Sequence, residues 1–371
     1  MLQKLRLSSA LVAGLLMTGL SHVYAKPVEI TDLADRKVTV DVPAKKAVVG
    51  FYYQDYLAIA GTKVLDNVVG FSKAVWTDWA PPSWAAFSKA LPKLEKLEDV
   101  GEVEVGTFSV EKVLSLRPDV LILAKWQYDA LGSDLDALEE AKIPVVVLDY
   151  NAQTVDAHVK TTKLIGVLTG NEERADELAN YYANTVKEIQ DRVKKANLPQ
   201  PKVYAEFGNK GPSEYSVSFG KSMWGSMITL VGADNISKNA VEYYGPVNPE
   251  LVLAAKPDAI IITGRETELK KNPEALVMGF NIPKAEAEKR LAGFAKRSGW
   301  SSLPAIKNHR LYGAYHANSR TLSDIASIQF VAKAAYPELF KDLNPTQTYL
   351  DFYKKYLPVE PEGTFYLEEG K

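Results

Sequence analysis

The sequence predicts an α/β protein of two Rossmann-like, parallel-sheet lobes joined by a long α-helix. Three observations carry this. A unit running from Ser109 to Leu123 realigns without a gap on Asn248 to Ile262, with Glu, a basic residue, Pro and Asp in the same register. Strand-like apolar runs alternate with helix-like segments along the chain, the pattern of parallel sheets covered by helices. Between the two copies lies the longest helical pattern, about 25 residues, which at 1.5 Å per residue spans roughly 37 Å and can pass from one lobe to the other.

The elements follow in order. Lys4 and Arg6, the apolar run Leu11 to Leu20 and the small-residue site Val23-Tyr24-Ala25 read as a cleaved secretory leader over residues 1–25, and predict a periplasmic mature protein starting near Lys26. That run is too short for a bilayer, which needs about 20 apolar residues, and no later stretch approaches this length. The N-terminal lobe is expected over residues 26–155, with strands at Ala47 to Phe51 and at Val145 to Leu148 besides the one that closes the first repeat copy. In each copy a capping residue (Ser109, Asn248) opens a short helix, the acidic residue sits in the first turn where the helix dipole favours it, the proline stops the helix, and an apolar run forms a buried strand. Residues 156–198 hold the interlobe helix: apolar spacing from Asp156 to Leu168, a break at Gly170-Asn171, and a second run from Glu172 to Ala196. The C-terminal lobe, residues 199–371, begins near Pro199-Gln200-Pro201 and carries strands at Lys202 to Glu206 and at Arg310 to Gly313 besides the one that closes the second repeat copy.

Composition narrows the function. The absence of cysteine removes disulfides, thiolate metal sites, cysteine nucleophiles and the cysteine that a lipid anchor requires. Of 44 basic residues, Lys4 and Arg6 fall in the leader, leaving a mild acidic excess against 46 acidic residues and no basic block to track a phosphate backbone; nucleic acid is not an expected partner. There is no Gly-x-Gly-x-x-Gly turn after a strand, no phosphate loop, no Gly-x-Ser-x-Gly elbow and no His-Glu-x-x-His helix. A monomeric binding protein without catalytic residues or a resident cofactor is expected, in preference to a secreted α/β enzyme.

At this point the chain resembles the periplasmic binding proteins for ferric siderophores, haem and cobalamin. The resemblance rests on Ile30 to Val40 with Pro43 to Val49, similar to that family's opening hairpin and first strand; on the Glu, helix, Pro-Asp, strand unit in each lobe; and on Gly170-Asn171-Glu172-Glu173-Arg174-Ala175, similar to its long-helix entry. It implies a soluble receptor of an ABC importer, with a ligand cleft between the lobes and modest hinge motion because the long α-helix that joins them is rigid. It also implies that one exposed glutamate per lobe, here Glu111 and Glu250, docks onto arginines of the membrane permease. The alternative reading of both is that they only complement a helix dipole.

Clefts of this architecture are lined by loops at the carboxyl ends of strands. Those positions supply Tyr52, Tyr53, Trp126, Tyr128, Tyr215, Arg265, Tyr315, His316 and Arg320, and a loop with Pro81-Pro82 adds Trp76 and Trp79. Broad rings with polar tips and planar guanidinium forks suit a bulky, partly aromatic anion, and a ferric chelate, whose iron is already wrapped by the chelator and needs no protein metal ligand, meets that description. Each residue also has a plainer reading: core packing for the tyrosines and tryptophans, pairing with Glu266 or Glu268 for Arg265, a structural hydrogen bond for His316. Bare zinc or manganese would need several converging His and carboxylates, and only His158, His309 and His316 follow the leader. Haem needs a single axial Tyr or His and stays open. An oxoanion such as molybdate would want a smaller, donor-rich pocket.

Overall fold

The computed structural model describes residues 25–369, so the proposed leader lies outside the described residues except for Ala25. Strands β1 (Lys26–Thr31) and β2 (Lys37–Val42) form the expected antiparallel hairpin. The first sheet contains β3 (Ala47–Val49), β4 (Val68–Phe71), β5 (Glu98–Asp99), β6 (Val120–Ala124) and β7 (Val145–Leu148) in the order β5-β4-β3-β6-β7, all parallel. Its strands are apolar on both faces because both faces are covered: Val120, Ile122 and Ala124 of β6 enter the main core, while Leu121 and Leu123 enter a second core with Val48, Val113 and Leu138.

The second sheet has a parallel centre of β8 (Lys202–Phe207), β12 (Ala259–Gly264) and β14 (Leu311–Tyr315), with β10 (Asp234–Asn235) alongside the start of β8. Its flanks are antiparallel: β9 (Val217–Phe219) and β11 (Tyr244–Pro246) beyond β8, and β16 (Tyr366–Glu368) beyond β14. This sheet is therefore mixed, where the sequence predicts a parallel one. The flanking strands are three residues long, too short for periodicity to reveal their direction. Strands β13 (Gly279–Phe280) and β15 (Gly363–Thr364) pair separately.

The repeat has one physical meaning in both lobes. Ser109 Oγ accepts from Lys112 N at 3.1 Å and Asn248 Oδ1 from Glu250 N at 2.9 Å, opening helices Val110–Leu116 and Pro249–Ala255. Arg117 (φ 48°) and Lys256 (φ 52°) end them in left-handed backbone. The aspartate after each proline then ties down the start of the neighbouring strand: Asp119 Oδ2 accepts from Lys45 N and Lys46 N, and Asp258 Oδ2 from Lys202 N at 2.8 Å.

Helix Val155–Thr169 stops at Gly170 (φ 69°), and helix Glu172–Ala196 buries Leu178, Ala179, Tyr182, Val186 and Ile189 along one stripe. It packs against Tyr53–Ala60 and Val155–Thr169 on one side and Ile325–Ala335 on the other. Arg174, near its start, donates to Ala58 O at 3.0 Å, and Arg192, near its end, pairs with Asp342 at 2.6 Å. The C-terminal helix Pro345–Tyr356 returns to the same junction, where Lys355 pairs with Glu177 at 2.7 Å. Among the described residues, no helix is long and apolar enough to cross a membrane.

Candidate functional site

Strands β3, β6 and β7 of one sheet and β12 and β14 of the other end on a common cleft. The chain leaves β3 through Gly50, where a Cβ would lie 2.7 Å from Gln127 Oε1, and delivers Phe51 and Tyr52 to the cleft wall. It leaves β6 directly into helix Lys125–Leu131, and leaves β14 into the segment His316 to Thr321. Two compartments result. The outer one, about 820 Å³, lies between Lys125, Trp126, Asp129 and Asn151 on one side and Lys221, Met223, Tyr243 and Tyr244 on the other. The inner one, about 50 Å³, lies between Phe51, Trp76 and Trp79 and the opposing Arg265, Tyr315 and His316. Arg320 lines both.

The charges of the cleft are mostly neutralised within the protein. Lys125 pairs with Asp129 at 2.7 Å, Lys221 with Glu242 at 3.0 Å, and Arg265 with Glu268 at 2.9 Å, as one of the two plainer readings of Arg265 had it. Arg320 has no carboxylate partner among the described residues, and its Nε is buried without a hydrogen bond. Its guanidinium lies 5.5 Å from the Phe51 ring centroid. Burial pulls its pKa below the ordinary arginine value, so a matching anion would relieve the desolvation.

His316 carries no charge at neutral pH: burial first, then Arg265 and Arg320, hold its pKa well below the usual value. Its ring stacks on Phe207 at 4.3 Å, and its Nδ1 lies 3.0 Å from Thr263 Oγ1. Behind the inner compartment, Tyr315 is buried against Glu266, whose carboxyl burial pushes up to about 7.

The cleft floor is where the lobes are tied together. Asp55 accepts from Thr321 Oγ1 at 2.8 Å and from Leu322 N at 2.7 Å. Asp324 accepts from Gln153 Nε2 at 2.7 Å and lies 3.3 Å from His158 Nε2. His158 itself stacks on Tyr182 of the long helix at 4.3 Å.

Of the residues singled out in the sequence, Trp76, Trp79, Trp126, Arg265, Tyr315, His316 and Arg320 line the cleft. Tyr52 lines it too, but its hydroxyl is engaged, donating to Asn151 Oδ1 at 2.7 Å and accepting from Tyr150 N at 3.1 Å. Three do not reach it. Tyr53 is a core residue, its ring edge-on to Phe71, Trp76, Trp84 and Phe87. Tyr128 is two residues from Trp126 on one helix and so faces the opposite way, into the second core under the Arg36 guanidinium at 4.3 Å. Tyr215 accepts from Trp300 Nε1 at 2.6 Å and is covered by Arg297, which forms a buried bidentate pair with Glu206 at 2.6 and 2.9 Å. The expected tryptophan loop is in fact two helices, Ala74–Trp79 and Pro81–Ala90, because Pro81 occupies a helix's first position, where its missing N–H costs nothing.

Sequence reasoning missed Tyr243 and Tyr244, each 63 % exposed at the mouth of the outer compartment. The adjacent aromatic pair was visible; that the antiparallel edge strand β11 brings it to the cleft was not. Among the described residues no group of three or more His, Asp or Glu is placed to hold a metal ion.

Comparison with known proteins follows the same lines. A family model for periplasmic binding proteins matches residues 48–315. The crystal structure of the TroA-like periplasmic binding protein FepB from Veillonella parvula superposes with a TM-score of 0.85 at 34% identity, covering 93% of this chain and 100% of that one. The uncharacterized ABC transporter substrate-binding lipoprotein YvrC of Bacillus subtilis is 26% identical across 85% of this chain and 88% of that protein. The molybdate-binding protein MolA of Haemophilus influenzae is 22% identical across 95% of this chain and 97% of that protein.

Proposed function

Because the chain belongs to the periplasmic binding protein family, we propose that it captures an anionic ferric chelate of the siderophore type in the periplasm and delivers it to the permease of its ABC importer. It is a substrate-binding protein of an ABC transporter rather than an enzyme, and such proteins work with membrane permease subunits. The observation that carries the ligand reading is Arg320, a partly buried guanidinium at the junction of both compartments that has no carboxylate partner among the described residues, whereas Lys125, Lys221 and Arg265 each have one. Trp126, Tyr243 and Tyr244 supply ring faces in the outer compartment, whose volume of about 820 Å³ suits a bulky organic ligand. Haem is the other anionic iron chelate that these features fit.

A second reading is favoured by one observation: the inner compartment holds only about 50 Å³ and is lined by both Arg320 and Arg265, a setting for a small oxoanion. Titration of the apo protein with ferric tris-catecholate, ferric hydroxamate, haem and molybdate separates the two. Tight one-to-one binding of an iron chelate supports the proposal, and binding of molybdate alone overturns it in favour of the oxoanion.

Delivery is assigned to Glu111 and Glu250. Both are exposed, both occupy the first turn of equivalent helices, and each helix runs back along the strand that follows it. Their first turns therefore lie at the carboxyl ends of the strands, on the face that bears the cleft.

A further inference from the structure

We infer that Asp55 is a positioning residue for the ligand: from the opposite lobe it holds the backbone that carries Arg320, so that the seat of the anion is complete only while the two lobes are joined. This rests on the reading of Arg320 as that seat and goes beyond it, because it makes affinity a property of the lobe junction as well as of the cleft lining.

Arg320 lies in a short loop after β14, and its own lobe pins the two ends of that loop. Buried Asn318 donates through Nδ2 to Ser323 O at 3.3 Å and to Ser327 Oγ at 3.1 Å, and Ser323 Oγ donates back to Asn318 Oδ1 at 2.6 Å. Between these points the chain turns through Arg320 in left-handed backbone (φ 66°), which a non-glycine residue adopts only where its surroundings impose it. The two groups that follow the turn are gripped from the other lobe. A single oxygen, Asp55 Oδ1, accepts from both Thr321 Oγ1 at 2.8 Å and Leu322 N at 2.7 Å. The tie that the C-terminal lobe itself supplies there is longer, Thr321 N to Asp324 Oδ2 at 3.3 Å. Leu322 opens a short 3-10 turn, so its N–H has no partner within that turn and finds one across the lobe boundary.

The grip comes from a fixed point. Asp55 stands in the first turn of helix Tyr53–Ala60, directly after β3, is only 3 % exposed, and belongs to a helix packed on the long interlobe helix. Parting the lobes withdraws one acceptor from two donors at once. The turn is then free to relax, and the Arg320 guanidinium leaves the point where both compartments meet. An anion bound on Arg320 and the joining of the lobes therefore stabilise each other, and prising the lobes apart weakens the hold on the ligand without any group having to push it out.

The test is a double-mutant cycle on affinity, with Asp55→Ala, Arg320→Leu and the two combined, each titrated calorimetrically with ferric tris-catecholate and with molybdate. Asp55→Ala is expected to weaken whichever anion wild type binds by about five- to thirtyfold. Once Arg320 is leucine the same change is expected to cost less than about twofold, because Asp55 acts only through that side chain. Asp55→Asn keeps Oδ1 in place for both donors and is expected to bind within about threefold of wild type. Thr321→Val removes one of the two bonds at little change in volume and is expected to fall between; it carries the same cycle if Asp55→Ala does not fold. Asp55→Ala or Thr321→Val binding as tightly as wild type, or weakening the anion equally in both backgrounds, overturns the inference and leaves Arg320 as the seat. Arg320→Leu binding like wild type, or wild type binding neither anion, overturns the reading of Arg320 and this inference with it.

Discussion

Arg320 is held in left-handed backbone (φ 66°), a conformation that costs a non-glycine residue on the order of 1–3 kcal/mol. The neighbouring Thr321 and Leu322 explain how it is imposed: both are fixed by Asp55 from across the cleft, so the segment bearing the cation is clamped by the opposite lobe. Asp55 makes a pH prediction possible. Burial pushes its carboxyl up to about 7, against the Leu322 N–H and Thr321 hydroxyl, which favour the ionised form. A carboxyl with a raised folded pKa contributes stability that is complete below its unfolded value near 4 and is lost as the pH rises through 7. Asp55→Asn can keep both accepted hydrogen bonds without the charge. The variant is expected to melt above wild type at pH 8, by an amount on the order of a few kcal/mol in stability, and to lose most of that advantage near pH 4. Parallel melting curves against pH for the two proteins would contradict this. At this scale the sequence was legible where a strand end delivers a side chain, as with Trp126 and His316. It was not where partners decide. Tyr128 and Tyr215 sit in the right segments, yet a helix turn and the Arg297–Glu206 pair carry them away from the cleft.

The long helix is the element on which the two lobes are hung. Its buried stripe faces both lobes and its two arginines fasten opposite ends, Arg174 to Ala58 and Arg192 to Asp342. Since an exposed ion pair contributes little, the attachment is mainly apolar. Leu178→Ala is expected to destabilise the protein by about 2–5 kcal/mol, whereas Asn180→Ala, two residues on and exposed, should change stability by less than about 0.5 kcal/mol; chemical denaturation of the two variants measures this. Equal effects would mean that the stripe is not what holds the lobes. The helix, the break before it at Gly170 and the two repeated helix–strand units could be read from the chain because each is longer than one period and carries its own start and stop residues. The short antiparallel strands β9, β11 and β16 have neither, and with them Tyr243 and Tyr244 escaped notice.

At the scale of the whole molecule, the polar ties across the cleft floor, Asp55 to Leu322 and Asp324 to Gln153 and His158, join the lobes independently of any ligand. Together with the helix they favour a cleft that is largely formed before the ligand arrives. Replacing Glu111 and Glu250 together by alanine is expected to leave chelate affinity within about twofold of wild type while cellular uptake of the labelled chelate falls at least about tenfold; undiminished uptake would confine both residues to the helix dipole. The central claim, an anionic iron chelate seated on Arg320 among aromatic rings, is tested most directly by tryptophan fluorescence. Trp76, Trp79 and Trp126 line the cleft, whereas Trp224 and Trp300 are fully buried in the core, so a ferric chelate in the cleft should quench part of the emission. Titration with ferric tris-catecholate is predicted to give saturable, one-to-one partial quenching that weakens roughly 10- to 100-fold in Arg320→Leu, the loss of a charged hydrogen bond of about 1.5–3 kcal/mol. Quenching of equal affinity in wild type and variant, or none with any iron chelate, would contradict it.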